Sequence, residues 1–320
     1  MNELFVGIDT SNYTTSVSLC NGEGEVLCNI KRLLDVSSGQ RGLRQSDALF
    51  SHTKNLPELM DILSLEIKEK YSEMKISAVG YSAYPRDVEG SYMPCFLAGK
   101  AAAHSLASGL CVPVYKFSHQ AGHIKAALYS SGYESEILSQ ARSCNGKFAA
   151  FHISGGTTEI LLVTLENGEM KIEKIGGTRD INAGQAIDRA GVMVGLKFPC
   201  GREMESLCAD GDVHVKICVD GLFCNLSGLE NQAEKLYSQT GNAGVVSNFV
   251  FEFVGKTLVK MTENLRIIHP DIPIIYAGGV MSNRKIKSML QGKNTFFAQP
   301  EFSSDNAAGI ALLCRERHIE

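Results

Sequence analysis

Two histidines four residues apart, in Ser118-His119-Gln120-Ala121-Gly122-His123, are the residues of this chain best spaced to do chemistry. On a helix, side chains at that spacing recur on one face, so the two imidazoles can share one metal ion. A carboxylate from a distant segment would complete an open site of the kind that polarises a substrate oxygen. Asp305 is the candidate. The zinc-protease pattern differs, because it places Glu directly after the first His as general base. Here that place is Gln120, which cannot accept a proton, so peptide hydrolysis by that route is not expected. A lone histidine is usually structural, whereas a pair directly after a strand points to ligation. Asp305 follows Ser303-Ser304 at an expected helix start, where an acid alone would serve as a cap favoured by the helix dipole. His52, His104, His152, His214, His269 and His318 have no paired partner and are read as structural.

A second group of residues suits a nucleotide. Glycines in Ser154-Gly155-Gly156-Thr157-Thr158 let backbone amides approach a phosphate, and the same dipeptide also serves as a plain hairpin turn. Thr10-Ser11-Asn12-Tyr13-Thr14-Thr15 is the matching polar turn earlier in the chain, with Thr10 and Ser11 as candidate contacts. Tyr276-Ala277-Gly278-Gly279-Val280-Met281-Ser282-Asn283 reads as strand, glycine pair and helix start, a place where backbone can approach an adenosine. Gly278 and Gly279 fit close helix–strand packing equally well, and Asn283 fits a helix cap. Asp188 stands on a helix of small and apolar residues. It is either a solvated acid beside Arg189 or a carboxylate gripping ribose hydroxyls. Gly201, after Phe198-Pro199-Cys200, marks a turn open to close approach.

The elements that must position these residues follow from periodicity. Residues 4–9 form a short apolar strand ending in an acid, 16–20 a second strand and 25–31 a third, with Asn21-Gly22 as the hairpin signal. Residues 32–50 read as a loop. Residues 53–71 have helical periodicity through Leu56, Leu59, Met60, Leu63 and Ile67. A strand over 76–83, a small-residue helix over 93–109 and a strand over 112–115 then deliver the chain to the histidines. The strand–turn–strand–turn–strand pattern recurs over 148–153, 159–165 and 170–175, turned at Glu166-Asn167-Gly168-Glu169. Two related halves are implied. Helices are expected over 183–196, 228–240, 247–268, 283–290 and 304–315, and one more strand over 273–277.

With 320 residues the chain can bury two cores. The expected division is a first lobe of residues 1–112, completed by 303–320, and a second lobe of 113–302 carrying the metal and adenosine motifs. A formal net charge of −4 implies no general polyanion-binding surface but leaves room for a local basic patch. The start of the sequence has no basic, apolar leader, and no apolar run approaches a membrane span. The ten cysteines contain no Cys-x-x-Cys pair, so reduced thiols and a cytoplasmic location are expected.

Taken in order, these motifs resemble the TsaD family, also called glycoprotease-like or threonylcarbamoyl-transferase. That family lies within the actin, sugar kinase and heat-shock chaperone superfold. The resemblance is carried by Gly7-Ile8-Asp9-Thr10-Ser11, Ser118 through His123, Ser154-Gly155-Gly156, Asp188 with Gly201, and Ser227-Gly228-Leu229. Ala277 through Asn283 and Pro300-Glu301-Phe302-Ser303-Ser304-Asp305-Asn306 complete it. It implies an α/β, actin-like ATPase fold with two related lobes around a nucleotide cleft. It also implies one divalent metal, iron or zinc, on His119, His123 and Asp305. An adenine nucleotide, as an AMP ester or ATP, would contact Thr10, Ser11, Ser154, Gly155, Gly156, Asp188, Gly201, Gly278, Gly279 and Asn283. The implied reaction moves a threonylcarbamoyl group from its AMP ester to a tRNA adenosine, with TsaB-like and TsaE-like partner proteins.

This chain departs from the family pattern near the reacting centre. Tyr13 and Thr14 replace an acidic pair, Thr157 replaces a His, and Glu230 replaces a Lys. Tyr84-Pro85-Arg86-Asp87-Val88-Glu89-Gly90 replaces a Gly-Pro-Gly segment. Two alternatives therefore stand beside threonylcarbamoyl transfer. One is a diverged paralog that moves a related carbamoyl group to another acceptor. The other is a non-catalytic nucleotide-binding partner of the tRNA-modifying complex.

Overall fold

The computed structural model describes residues 2–11, 13–34, 44–166, 168–209 and 211–320. Residues 35–43 of the expected loop, and Asn12 and Asn167 of the two turns, lie outside the described residues. The chain opens with β1 (Glu3–Asp9), β2 (Thr14–Asn21) and β3 (Val26–Leu33), an antiparallel meander. Helix α1 (Gln45–Lys70), β4 (Lys75–Tyr84), α2 (Phe96–Leu110), β5 (Val114–Ser118) and α3 (His119–Ser131) follow. β4 pairs parallel with β1, and β5 parallel with β4, giving the strand order β3-β2-β1-β4-β5.

The sequence of β1 explains its place at the centre. Leu4, Val6 and Ile8 point into one apolar cluster with Leu56, Leu59 and Leu63 of α1. Phe5 points the other way. A strand buried on both faces reads as an unbroken apolar run, as this one does. Helix α1 begins eight residues before the expected start. Ala48 and His52 extend its buried stripe, but an exposed apolar Phe50 and a buried polar His52 hide the period in the sequence.

The second compact unit begins with α4 (Glu134–Ser143) and the meander β6 (Lys147–Ile153), β7 (Thr158–Glu166) and β8 (Glu169–Thr178). Helices α5 (Ala183–Met193) and α6 (Gly201–Leu207) precede the short strands β9 (Cys218–Asp220) and β10 (Phe223–Asn225). Helices α7 (Gly228–Thr240) and α8 (Ala243–Ile268), β11 (Ile274–Ala277), α9 (Arg284–Leu290) and β12 (Thr295–Phe297) complete the unit. Its strand order is β12-β11-β6-β7-β8-β10-β9. The part β8-β7-β6-β11-β12 repeats the order and directions of the first sheet, two antiparallel pairs and then two parallel ones. The repeat expected from the sequence is therefore present in the topology. Phe151 and Ile153 of β6 anchor the core of this unit against Ala186 and Ile187 of α5 and Phe249 and Phe253 of α8.

The last helix, α10 (Ala308–Ile319), belongs with the first unit, where Ala311, Leu312 and Cys314 cover Phe5, Cys20 and Ala78. The units are Met1–Ser130 with Phe302–Glu320, and Ser131–Glu301. The division thus falls at the last residue of α3 rather than at residue 112, and the two histidines lie in the first unit instead of the second. Helix α10 also starts later than the expected 304. The Asn306 amide donates to the carbonyls of Phe302 (3.0 Å) and Ser304 (2.7 Å), while its Oδ1 accepts the Ala308 N–H (3.0 Å). These bonds hold a tight non-helical bend and cap the helix beyond it, so Asp305 sits on the bend and not in the helix.

Candidate metal centre and glycine turns

Ser118 ends β5 and caps α3. Its Oγ accepts the Ala121 N–H (3.1 Å) and donates to Asp87 Oδ2 (2.5 Å). The Pro85 carbonyl accepts the Gln120 N–H (3.1 Å). The segment that departs from the family pattern therefore seats the first turn of α3. Helix α10 crosses α3 backbone to backbone: a Cβ on Gly309 would lie 1.8 Å from the Gly122 carbonyl oxygen. This approach brings the bend carrying Asp305 against the histidines.

The result is a triangle of ligand atoms. His123 Nε2 lies 2.9 Å from His119 Nε2 and 3.1 Å from Asp305 Oδ1, and the third edge is 3.6 Å. Tetrahedral zinc, about 2.0–2.1 Å from such ligands, would set them about 3.3 Å apart. The opposite ring nitrogen, His119 Nδ1, donates to Asp9 Oδ2 (2.7 Å), and Asp9 Oδ1 accepts the Ser11 N–H (2.8 Å). A carboxylate behind a histidine fixes its tautomer, with the proton on Nδ1 and the lone pair on Nε2 facing the triangle. The donor set and its backing carboxylate thus fit a divalent cation.

The electrostatics agree. Burial works against a charged His119, but the Asp9 and Asp305 carboxylates outweigh it and push the imidazole up to about 10. Burial likewise opposes the charge on Asp305 and Asp9. Hydrogen bonds from both histidines hold Asp305 below the ordinary carboxylate range, and His119 together with Ser11 does the same for Asp9. Two carboxylates around this pocket call for positive charge, which a cation supplies when it displaces the proton.

Asp9 is the candidate site residue that sequence reasoning missed. A buried acid closing an apolar strand was the signal. Thr10, a candidate contact, is fully buried, and its hydroxyl donates to the Cys95 carbonyl (3.0 Å) and accepts the Gly99 N–H (3.1 Å). It ties the β1 turn to α2. The Ser11 hydroxyl is buried and has no partner among the described residues.

The other candidates gather in the second unit, at the ends of β6 and β11, which pair side by side through His152 and Ala277. The Ser154 carbonyl accepts the Gly184 N–H at the start of α5 (3.1 Å), leaving Gly155 and Gly156 exposed. Gly278 has φ +101°, and a Cβ there would meet the Ile153 carbonyl at 2.2 Å, so close packing requires it. Gly279 is open. Asn283 Oδ1 caps α9 through the Ile286 N–H (2.9 Å), while its Nδ2 is buried without a partner among the described residues. Asp188 is half-buried and accepts the Cys200 N–H (2.7 Å), immediately before Gly201. Burial raises its carboxyl above the usual range against that hydrogen bond. Asp188, Phe198, Arg189 and Glu230 line a cavity of about 460 Å³.

Solved structures place this architecture among the actin-like ATPase folds. Full-length HypF, in its phosphate- and nucleotide-bound form, matches with a TM-score of 0.58 at 12% identity, over 98% of this chain and 55% of that one. Component A of the Acidaminococcus fermentans (R)-2-hydroxyglutaryl-CoA dehydratase matches with 0.53 at 13% identity, over 99% of each. Within that class, the chain belongs to the TsaD family, described as tRNA N6-adenosine threonylcarbamoyltransferase, which it matches over residues 26–312. Relatives bearing that name include those of Methanopyrus kandleri, 28% identical over 96% of this chain and 85% of the relative, and Streptococcus suis, 28% identical over 97% and 91%. A probable bifunctional tRNA threonylcarbamoyladenosine biosynthesis protein of Natronomonas pharaonis is 27% identical over 74% of this chain and 42% of its own length. Among the described residues, no helix is long and apolar enough to cross a membrane.

Proposed function

We propose that this protein transfers a threonylcarbamoyl group from its AMP ester to a tRNA adenosine, using one iron or zinc ion held by His119, His123 and Asp305. The observation that carries the reading is the ligand triangle backed by Asp9. Family membership supplies the substrate class. The exocyclic amine of adenosine attacks the carbamoyl carbon, the bond to the phosphate oxygen breaks, AMP departs, and the amine proton is lost. That amine is a weak nucleophile, so positioning of the donor dominates. When bound, the metal supplies a Lewis acid that polarises the carbonyl or holds the phosphate.

The chain's own residues do the rest. Asp9 holds the proton on His119 Nδ1 and keeps Nε2 a ligand. The amides of Gly155 and Gly156 offer donors to a phosphate. Asn283 Nδ2 offers a buried donor to the adenylate. A second reading, transfer of a related carbamoyl group to another acceptor, is favoured by Glu230. It pairs with Arg189 (3.3 Å) beside Asp188, where the family pattern has a lysine.

Purified protein would be incubated with threonylcarbamoyl adenylate, unmodified tRNA, and TsaB-like and TsaE-like partners. Threonylcarbamoyladenosine in the tRNA is the expected product. Its absence removes the first reading. Adenylate turnover that requires a different acceptor supports the second, and no turnover with any acceptor leaves a non-catalytic partner. Elemental analysis should find one metal ion per chain, lost in His119→Ala.

A further inference from the structure

A cavity of about 220 Å³ opens in the first unit on the side of β4 and β5 where α2 begins. Its wall is unusual in composition. Tyr81 and Tyr84 come from β4, Tyr92 from the following loop, Phe96 and Lys100 from successive turns of α2, and Lys116 from β5. Tyr81 and Lys116 are register partners across the parallel pair. Phe96 and Lys100 share a helix face because they are four residues apart. Four aromatic rings and two lysines are thus brought to one small pocket, and none of its lining residues is acidic. Lys100 and Lys116 are exposed and form no ion pair among the described residues. Tyr92 is 62% exposed, although burying an aromatic ring is normally favourable. Phe96 reaches from this pocket to the metal centre, where its ring lies edge-on to His119 with centroids 6.3 Å apart.

The geometry points to a subsite for one unpaired nucleotide of the RNA substrate, its base among Tyr84, Tyr92 and Phe96 and its phosphates against Lys100 and Lys116. Aromatic walls with flanking cations are how proteins take unstacked bases from single-stranded RNA. The pocket admits a single ring system and no helix. Two lysines in a lining that contains no acid complement a polyanion, which explains how a chain of net charge −4 can hold one locally. Tyr84 opens the segment that replaces the family's Gly-Pro-Gly and Tyr92 follows it, so the subsite belongs to this chain's departure from the family pattern. The inference rests on the reading of tRNA as acceptor, and its test separates the two.

Affinity for unmodified tRNA and for a synthetic anticodon stem-loop would be measured by fluorescence anisotropy for the full chain, Tyr92→Ala, Tyr92→Phe and Lys100→Ala/Lys116→Ala. Transfer would be assayed in parallel. Tyr92→Ala should weaken binding on the order of 5- to 150-fold, the range for one stacked base, and Tyr92→Phe should restore it. The double lysine variant should flatten the salt dependence by about 0.7 in log–log slope per lysine. Single-stranded oligonucleotide should compete and duplex RNA should not. In the transfer assay the same variants should raise KM for tRNA with kcat kept. Unchanged affinity in Tyr92→Ala while transfer proceeds would overturn the subsite and leave the function standing. Weakened RNA binding without transfer in the parent protein would do the reverse. No RNA binding by the parent protein would overturn the subsite outright.

Discussion

Asp9 decides what His119 can do. With its Nδ1 proton held at 2.7 Å by a buried carboxylate, the imidazole has one nitrogen left to offer. Asp9→Asn should therefore weaken metal binding about 10–100-fold while leaving the ligands in place, the usual effect of losing a backing carboxylate. Competition against a chromogenic chelator measures it. The same contact makes the metal-free protein pH-sensitive. The folded pKa of His119, about 10, lies above its ordinary 6.5. Its contribution to stability is complete below pH 6.5 and is lost as pH rises from about 6.5 to about 10. Urea midpoints in chelator should fall across that window, and in His119→Gln this part of the slope should vanish. At this scale the histidine pair was legible, because i, i+4 spacing is local. Asp9 was not, because its partner is 110 positions away and only folding introduces them.

The elements bring the ligands together through contacts that only glycine permits. A methyl on Gly309 would overlap the Gly122 carbonyl, so Gly309→Ala must push α10 from α3. The expected cost is about 1–3 kcal/mol from overpacking, read as a lowered thermal midpoint, together with weakened metal binding as Asp305 withdraws. A metal affinity equal to that of the parent would show that the crossing does not set the site. Most elements were readable in advance where they are long and periodic, as with α7 over residues 228–240. The three-residue strands β9, β10 and β12 carry too few residues for any period to show. The late start of α10 depends on one side chain, Asn306, which outbids the helix for its neighbours' backbone groups.

Across the whole molecule, the proposed metal ligands lie in the first unit and the glycine turns in the second. A cation bound at 100 times its dissociation constant stabilises the fold that holds it by about 2.7 kcal/mol. That stabilisation should appear in the first unit. Cysteines report it: Cys20, Cys95 and Cys314 are buried there, Cys200 and Cys224 in the second unit, and Cys111 and Cys218 are exposed. Alkylation followed by mass spectrometry should label Cys111 and Cys218 in the native protein. In rising urea, metal should delay labelling of the first group and not the second. Equal protection of both groups would show that the units unfold as one. The paired strand orders were the most legible feature at this scale, because each meander is continuous in sequence. The unit boundary was not, because α3 follows the last strand of the first sheet and gives no local sign of which sheet it will serve.

The repeat and the return of α10 have a consequence for the order of synthesis. Helix α3 follows the fifth strand of the first copy, and α10 follows the fifth strand of the second. The first sheet nevertheless needs α10 to cover Phe5 and Cys20. A ribosome making this chain exposes the bare face of that sheet and holds it unfinished while all of Ser131–Glu301 is made. The unit begun first is completed last, so the proposed metal site can form only after the other unit has had time to fold.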